Sequence, residues 1–425
     1  MSVPVELADR IQREVERLEW SAGSFLQGLV RIPSVTGAEA EIQKYLAYCL
    51  QEMELKLDVW CPTRADVESH PAFCDDGLPL GERPVIVARW PGAESGARSL
   101  ILSGHVDVVP PGDPARWADG AWSGEKRDGR VWGRGACDMK GGLVAAISAI
   151  GALQRLGLKP RGDLLLQCVI GEETGGVGTL AAILRGYRAD AAIVLEPTEL
   201  SIGPVAAGAL SFRLQVPGRA AHGALRAEGV SAVEKFQRLS DALTELERAR
   251  HTGFRHPAYP PGALVAPLSI GTVRAGDWPS TVPDRLIAEG RYGVLPGESP
   301  AAARRQFEAA LRAAADADPW LREQRPTVEW IEGQFEPAAT DRDAPIVAAL
   351  RAAHRSVLGS DPEVRGVSYG SDLRLLTNVA RIPAVLYGPG DVRLAHAANE
   401  HIAIAEVMTA AKVVALATAD WCGAS

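Results

Sequence analysis

Residues 164–178 read Leu164-Leu165-Leu166-Gln167-Cys168-Val169-Ile170-Gly171-Glu172-Glu173-Thr174-Gly175-Gly176-Val177-Gly178. The first seven form an apolar run of strand length, the glycines permit a turn, and a helical pattern resumes over 178–184. Strand, turn and helix repeat outward from this point. A helix precedes it at 141–156 and a strand follows at 191–195. Earlier runs at 55–60, 85–89 and 99–103 read as strands, with helical spacing over 6–29 (Leu7, Ile11, Val15, Leu18, Phe25, Leu29) and 38–52. Such alternation predicts an α/β fold, a mixed sheet flanked by helices.

The middle of the chain breaks this rhythm. Strands at 210–216, 264–273 and 285–294 and helices at 230–250 and 300–317 read as an inserted α+β unit, β-α-β-β-α-β in a ferredoxin-like order. After it the α/β style returns, with helices at 346–358, 372–379 and 403–417 and strands at 364–367 and 384–387. The expected organisation is therefore 1–205 for the first part of the α/β domain, 206–321 for the insert and 322–425 for the second part. Residues 61–84 form a long loop rich in Pro, Gly and Asp.

Composition narrows the function. The chain has 425 residues, with 53 acidic against 45 basic side chains and a net charge of −8. The acidic surplus and scattered arginines argue against a nucleic-acid partner. Residues 1–20 are charged and lack the apolar core of an export signal. The longest apolar stretch, 141–153, is shorter than the about 20 residues that span a bilayer, so no membrane partner is expected. Six cysteines form no CxxC pair, which places the chain in the cytoplasm with reduced thiols.

Five patches carry chemistry. In Ser103-Gly104-His105-Val106-Asp107, residues two apart share a face, so His105 and Asp107 point together. A carboxylate behind an imidazole fixes its tautomer and strengthens it as a metal ligand; taken alone, the pair equally fits a hydrogen-bonded histidine near a strand end. Asp138 lies in Gly133-Arg134-Gly135-Ala136-Cys137-Asp138-Met139-Lys140-Gly141-Gly142, before an apolar helix. By itself it reads as a helix cap, and no phosphate-loop pattern is present. Glu172 and Glu173 are adjacent, so one can bind a metal while the other serves as general base; a solvated loop is the plainer reading. Glu196 follows a fourth apolar strand, and His396 ends Gly388-Pro389-Gly390-Asp391-Val392-Arg393-Leu394-Ala395-His396, with Asn399-Glu400-His401 after it. Ligands of open α/β sheets gather beyond the carboxyl ends of strands. Two histidines and several carboxylates there suit a pair of divalent cations, zinc first, with cobalt or manganese as alternatives.

Taken in order, GHVDVV (104–109), GRGACDMKGG (133–142), GEETGG (171–176), LEPT (195–198) and GPGD…AH (388–396) resemble the M20 metallopeptidase family. That family includes acetylornithine deacetylase, succinyl-diaminopimelate desuccinylase, aminoacylase and glutamate carboxypeptidase. The likeness covers essentially the whole chain and is strongest to acetylornithine deacetylase-like members. It implies a hydrolase of amide-type C–N bonds that deacylates an N-acyl amino acid or a related small carboxylated amide. Dipeptidase, carboxypeptidase or aromatic-amine aminohydrolase activity is the alternative. Asp138 would bridge two metal ions, with His105 and Glu196 completing one site and Glu173 and His396 the other. Glu172 would be the base acting on a bridging water, and the Asp107 carboxylate would steer His105. The insert would form a homodimer and bring His222 to the partner's site to hold the oxyanion. Arg291 would bind the substrate carboxylate. Ser280 stands where many relatives have Asn, so its contact with substrate is the departure from the pattern.

Two other readings compete. Gly366-Val367-Ser368-Tyr369-Gly370 satisfies GxSxG, and a serine esterase would pair Ser368 with Asp391 and His396 or His401. That reading leaves His105, Asp138, Glu172, Glu173 and Glu196 without a role. A non-catalytic binding protein on the same fold would usually lack ligands or base, whereas here every expected position is filled.

Overall fold

The computed structural model describes residues 3–424, so positions 1, 2 and 425 of the expected boundaries lie outside the described residues. The chain divides into two compact units. One takes the chain up to Pro204, then Ala339–Arg365 and everything from Asp372 on; the other takes Val205–Ala338 and Gly366–Ser371.

The first unit is built on a mixed sheet. Its strands run in the order Lys56–Trp60, Val85–Trp90, Leu164–Val169, Leu100–His105, Ala191–Val194, Ala384–Leu386. Leu100–His105 is parallel to both neighbours, and Ala384–Leu386 is parallel to Ala191–Val194. Val85–Trp90 runs antiparallel to Leu164–Val169. Every residue of Leu100–His105 and Leu164–Val169 is buried, as expected of strands covered on both faces.

Two apolar helices, Gly141–Arg155 and Ile404–Cys422, pack against one another beside this sheet. Ala136–Arg155 is long and apolar enough to cross a membrane, yet 89% of it is buried inside the protein. It is a core helix. A Cβ at Gly142 would collide with the Leu195 carbonyl oxygen, so glycine is what lets the helix start against the strand that ends before Glu196.

The opening helical pattern is two helices, Val5–Glu16 and Glu19–Arg31, because the chain turns at Arg17 and Leu18. The helix expected over 372–379 is present from Leu373 to Val379, wound more widely over Leu375–Val379. A small sheet of His401–Ala403, Arg130–Trp132 and Glu125–Arg127 ties the end of the chain to its first half.

The second unit is an antiparallel sheet in the order Leu268–Ala275, Arg285–Val294, Gly208–Pro217, Thr327–Phe335, with helices Ala232–His251 and Pro300–Asp316. Gly208–Pro217 alternates, burying Leu210, Phe212, Leu214 and Val216. Phe212 and Tyr292 meet Phe307 at ring distances of 4.6 and 5.1 Å. Ser231 and Ser299 cap the two helices by accepting the N–H groups of Glu234 and Ala302. The order is β-α-β-β-α-β, as anticipated, but its closing strand lies past the expected boundary at 321 and the unit runs to Ala338. The pairing of that strand shifts register between Trp330 and Gln334, and such an irregularity blurs the two-residue period that marks a strand.

Candidate metal centre

His105, Glu173 and Glu196 sit at or just past the ends of parallel strands, and Asp138 and His396 reach them from loops. His105 closes its strand and is 1% exposed. Its Nδ1 lies 2.8 Å from the backbone carbonyl oxygen of Asp107 and donates its proton there, which turns Nε2 toward the other donors. Nε2 faces Asp138 Oδ1 at 3.2 Å and Glu196 Oε1 at 3.9 Å. On the other side of Asp138, His396 Nε2 lies 3.5 Å from its Oδ2 and 3.2 Å from Glu173 Oε2. Asp138 is thus flanked by both imidazoles.

Asp107 differs from expectation. Its carboxylate stands 3.7 Å from His105 Nδ1, too far for a hydrogen bond, and the ring is oriented by the carbonyl of the same residue. The carboxylate serves the glutamate turn instead. Oδ1 accepts the Glu172 N–H at 3.1 Å, and Oδ2 accepts the Glu173 N–H at 3.2 Å and the Thr36 hydroxyl at 2.9 Å.

Donor atoms of His105, Asp138 and Glu173 lie within 4.8 Å of one another, and so do those of His105, Glu172 and Glu196. Geometry therefore also admits Glu172 as a donor beside Glu196. Glu172 is buried and its Oε1 has no hydrogen-bond partner. Burial, reinforced by the neighbouring carboxylates, pushes Glu172 and Glu196 well above the ordinary carboxylate range and raises Glu173 as well. Asp138 goes the other way: although burial opposes its charge, hydrogen bonds from His105 and His396 hold it low. Burial disfavours charge on His396 too, but Asp138 and Glu173 outweigh it and raise the imidazole to about 10. Buried carboxylates that repel one another and a partnerless carboxylate oxygen are what a cationic group would relieve. The N/O donor set fits divalent metal ions.

Two supports were not evident in the sequence. Asp372 is buried, accepts the Thr179 hydroxyl at 2.5 Å, and is raised to about 6 by burial; its place in Tyr369-Gly370-Ser371-Asp372 was the available signal. The long 61–84 loop braces the glutamate turn. Arg83 donates to Glu39 at 2.7 and 2.9 Å and to Asp76 at 3.2 Å, and Asp76 accepts the Thr174 hydroxyl at 2.9 Å.

His222, Ser280 and Arg291 belong to the second unit. His222 is exposed; its Nδ1 accepts the Ala224 N–H at 3.1 Å, and it bridges to Thr281. The Ser280 carbonyl accepts the Gly223 N–H at 2.6 Å, which makes His222 and Ser280 neighbours. Arg291, on Arg285–Val294, donates to the Ser368 carbonyl at 3.4 Å and forms no ion pair among the described residues. Burial lowers its pKa.

The esterase alternative does not find Asp391 paired with His396 or His401 among the described residues. Asp391 is engaged by Arg393 at 2.8 Å, His396 faces Asp138 and Glu173, and the His401 ring lies 4.0 Å from that of Trp132.

Fold and cluster together define a hydrolase whose polar centre is assembled from strand-end carboxylates and histidines. The profile of Peptidase family M20/M25/M40 matches residues 101–420, and the chain belongs to that family. The protein is an enzyme, an amidohydrolase or peptidase. It is similar to N-formyl-4-amino-5-aminomethyl-2-methylpyrimidine deformylase of Halalkalibacterium halodurans, at 30% identity over 99% of this chain and 98% of that one. It is also similar to acetylornithine deacetylase of Myxococcus xanthus, at 31% identity over 80% of this chain and 85% of that one. Among solved structures it resembles human carnosine dipeptidase 1, with a TM-score of 0.79 at 17% identity, covering 98% and 99% of the two chains.

Proposed function

We propose that this enzyme removes a small acyl group from nitrogen by hydrolysis, using two divalent cations held by His105, Asp138, Glu173, Glu196 and His396. The observation that carries this reading is the placement of Asp138 between His105 and His396, with Glu173 and Glu196 on either side. Bound there, two cations would polarise the scissile carbonyl and make a water acidic near neutral pH; zinc suits the donors, as do cobalt and manganese. Glu172 does the proton work. It is buried, its Oε1 is free of protein partners, and its raised affinity for protons suits a group that takes one from water and delivers it to the departing nitrogen. Asp107 fixes the turn that carries the two glutamates by accepting both of their N–H groups.

Arg291 favours a substrate bearing a carboxylate, since its guanidinium has no acid of its own. The full-length likeness to a deformylase favours a second substrate class, the formamide of an aromatic aminomethyl compound. We infer further that the enzyme is a homodimer through the second unit. Leu268–Ala275 is an edge strand paired on one side only and largely exposed, and a dimer would let His222 serve the oxyanion in the neighbouring copy. The deciding experiment is a kcat/KM comparison of N-acetyl and N-formyl amino acids, N-formyl aminomethylpyrimidines and dipeptides, before and after chelation. Unimpaired turnover in fully metal-free protein would refute the mechanism, and preference for the neutral formamide would remove Arg291 from carboxylate binding.

A further inference from the structure

Asn399-Glu400-His401 follows His396 closely and has no part in the chemistry above. Glu400 is 1% exposed. Its Oε1 accepts the backbone N–H groups of Cys137 at 2.9 Å and Asp138 at 3.1 Å, and its Oε2 accepts Arg134 Nη1 at 2.7 Å. Arg134, also buried, donates to the Ala397 carbonyl at 3.2 Å, and the Gly133 N–H donates to the Glu400 carbonyl at 2.8 Å. On either side the clasp is reinforced. Asn399 accepts the Ala118 N–H at 2.8 Å and donates to the Arg116 carbonyl at 3.2 Å, while the His401 ring packs at a tilt against Trp132. These bonds join the loop that carries Asp138 to the loop that carries His396, two segments more than 250 residues apart in sequence.

We propose that Glu400 is a positioning residue that sets Asp138 relative to His396 and thereby tunes how tightly the centre binds its cations. The inference rests on the metal reading above. Glu400 does not point at the donors. Its carboxylate is committed to the backbone of Asp138 itself, and Arg134 balances its charge, so it orders the loop without adding net negative charge to the centre. Because Glu400 lies only four residues past His396, displacing its side chain shifts both donors at once.

The test is metal affinity, measured by competition with a chromophoric chelator, with the Co2+ absorption spectrum as a second readout. Glu400→Ala should bind Co2+ or Zn2+ roughly 10–100-fold more weakly and alter the Co2+ bands, with kcat recovering once metal is saturating. Glu400→Gln, whose amide oxygen can still accept the two N–H groups, should recover most of the affinity. If the Ala variant does not fold, Glu400→Asp, one methylene too short to reach both N–H groups, takes its place. A residue that only stabilises the fold would lower Tm and leave affinity and spectrum unchanged, and that result would overturn the proposal. The parent protein separates the two ideas. If it binds no divalent cation, the metal reading fails and takes this inference with it; parental binding with unaltered variants sinks the Glu400 role alone.

Discussion

Glu172 and Glu173 are adjacent in the chain yet have different surroundings: Glu173 meets His396, whereas Glu172 Oε1 has no hydrogen-bond partner among the described residues. Glu172→Gln should therefore retain metal, as read by elemental analysis, and lose roughly 10²–10⁴-fold in kcat; near-parental turnover would mean another residue is the base. The pair was legible because two carboxylates after an apolar strand are costly without a cation. The role of Asp107 was not, because sequence spacing cannot tell a side-chain oxygen from the carbonyl oxygen of the same residue. The structure predicts that Asp107→Ala keeps His105 oriented through the backbone, and so keeps its metal. It would still strip the acceptor from the Glu172 and Glu173 N–H groups and the Thr36 hydroxyl, at about 1–3 kcal/mol for each buried donor left unpaired. Metal stoichiometry falling with turnover would contradict that division.

At the scale of elements, the site depends on braces between segments remote in sequence. Arg83 in the long loop joins Glu39, before the Ala40–Glu52 helix, to Asp76, which meets Thr174 in the glutamate turn. Removing one partner strands buried charge, so Arg83→Met should cost about 3–5 kcal/mol, read by denaturant unfolding; a change within error would mean the loop is dispensable. In the second unit Asp318 caps Pro319–Glu323 and pairs with Lys235 at 2.8 Å. Although burial opposes its charge, Lys235 and the Trp320 and Leu321 N–H groups hold its pKa below the ordinary value. The folded state thus favours the ionised form. That stability is present above the unfolded carboxylate pKa, near 4, and is lost as pH falls through the lower folded value. Asp318→Asn should lower Tm at neutral pH by an amount that shrinks on acidification; a pH-independent difference would contradict the linkage. The Arg83–Glu39, Asp76–Thr174 and Lys235–Asp318 contacts have no local signature, since each joins residues 44 to 98 positions apart.

For the molecule as a whole, the edge strand Leu268–Ala275 and its half-exposed Val273 mark the face on which a second copy would pair. Val273→Asp should yield monomers by sedimentation without a large loss of Tm, and a persistent dimer would place the interface elsewhere. The alternation of strands and helices, the interrupting α+β unit, and His105, Asp138, Glu172, Glu173, Glu196 and His396 as candidate donors and base are all legible from the residues alone. Those features are local: side-chain periodicity and the cost of charge at the end of an apolar strand are written within a few residues. Long-range packing brings Asp138 between two imidazoles, turns the Asp107 carboxylate to the glutamates, closes the sheet of the second unit with Thr327–Phe335, and lets Glu400 grip the Asp138 loop. Each is a hydrogen bond or close approach between distant segments, settled by how strands remote in sequence pair and where the loops after them meet.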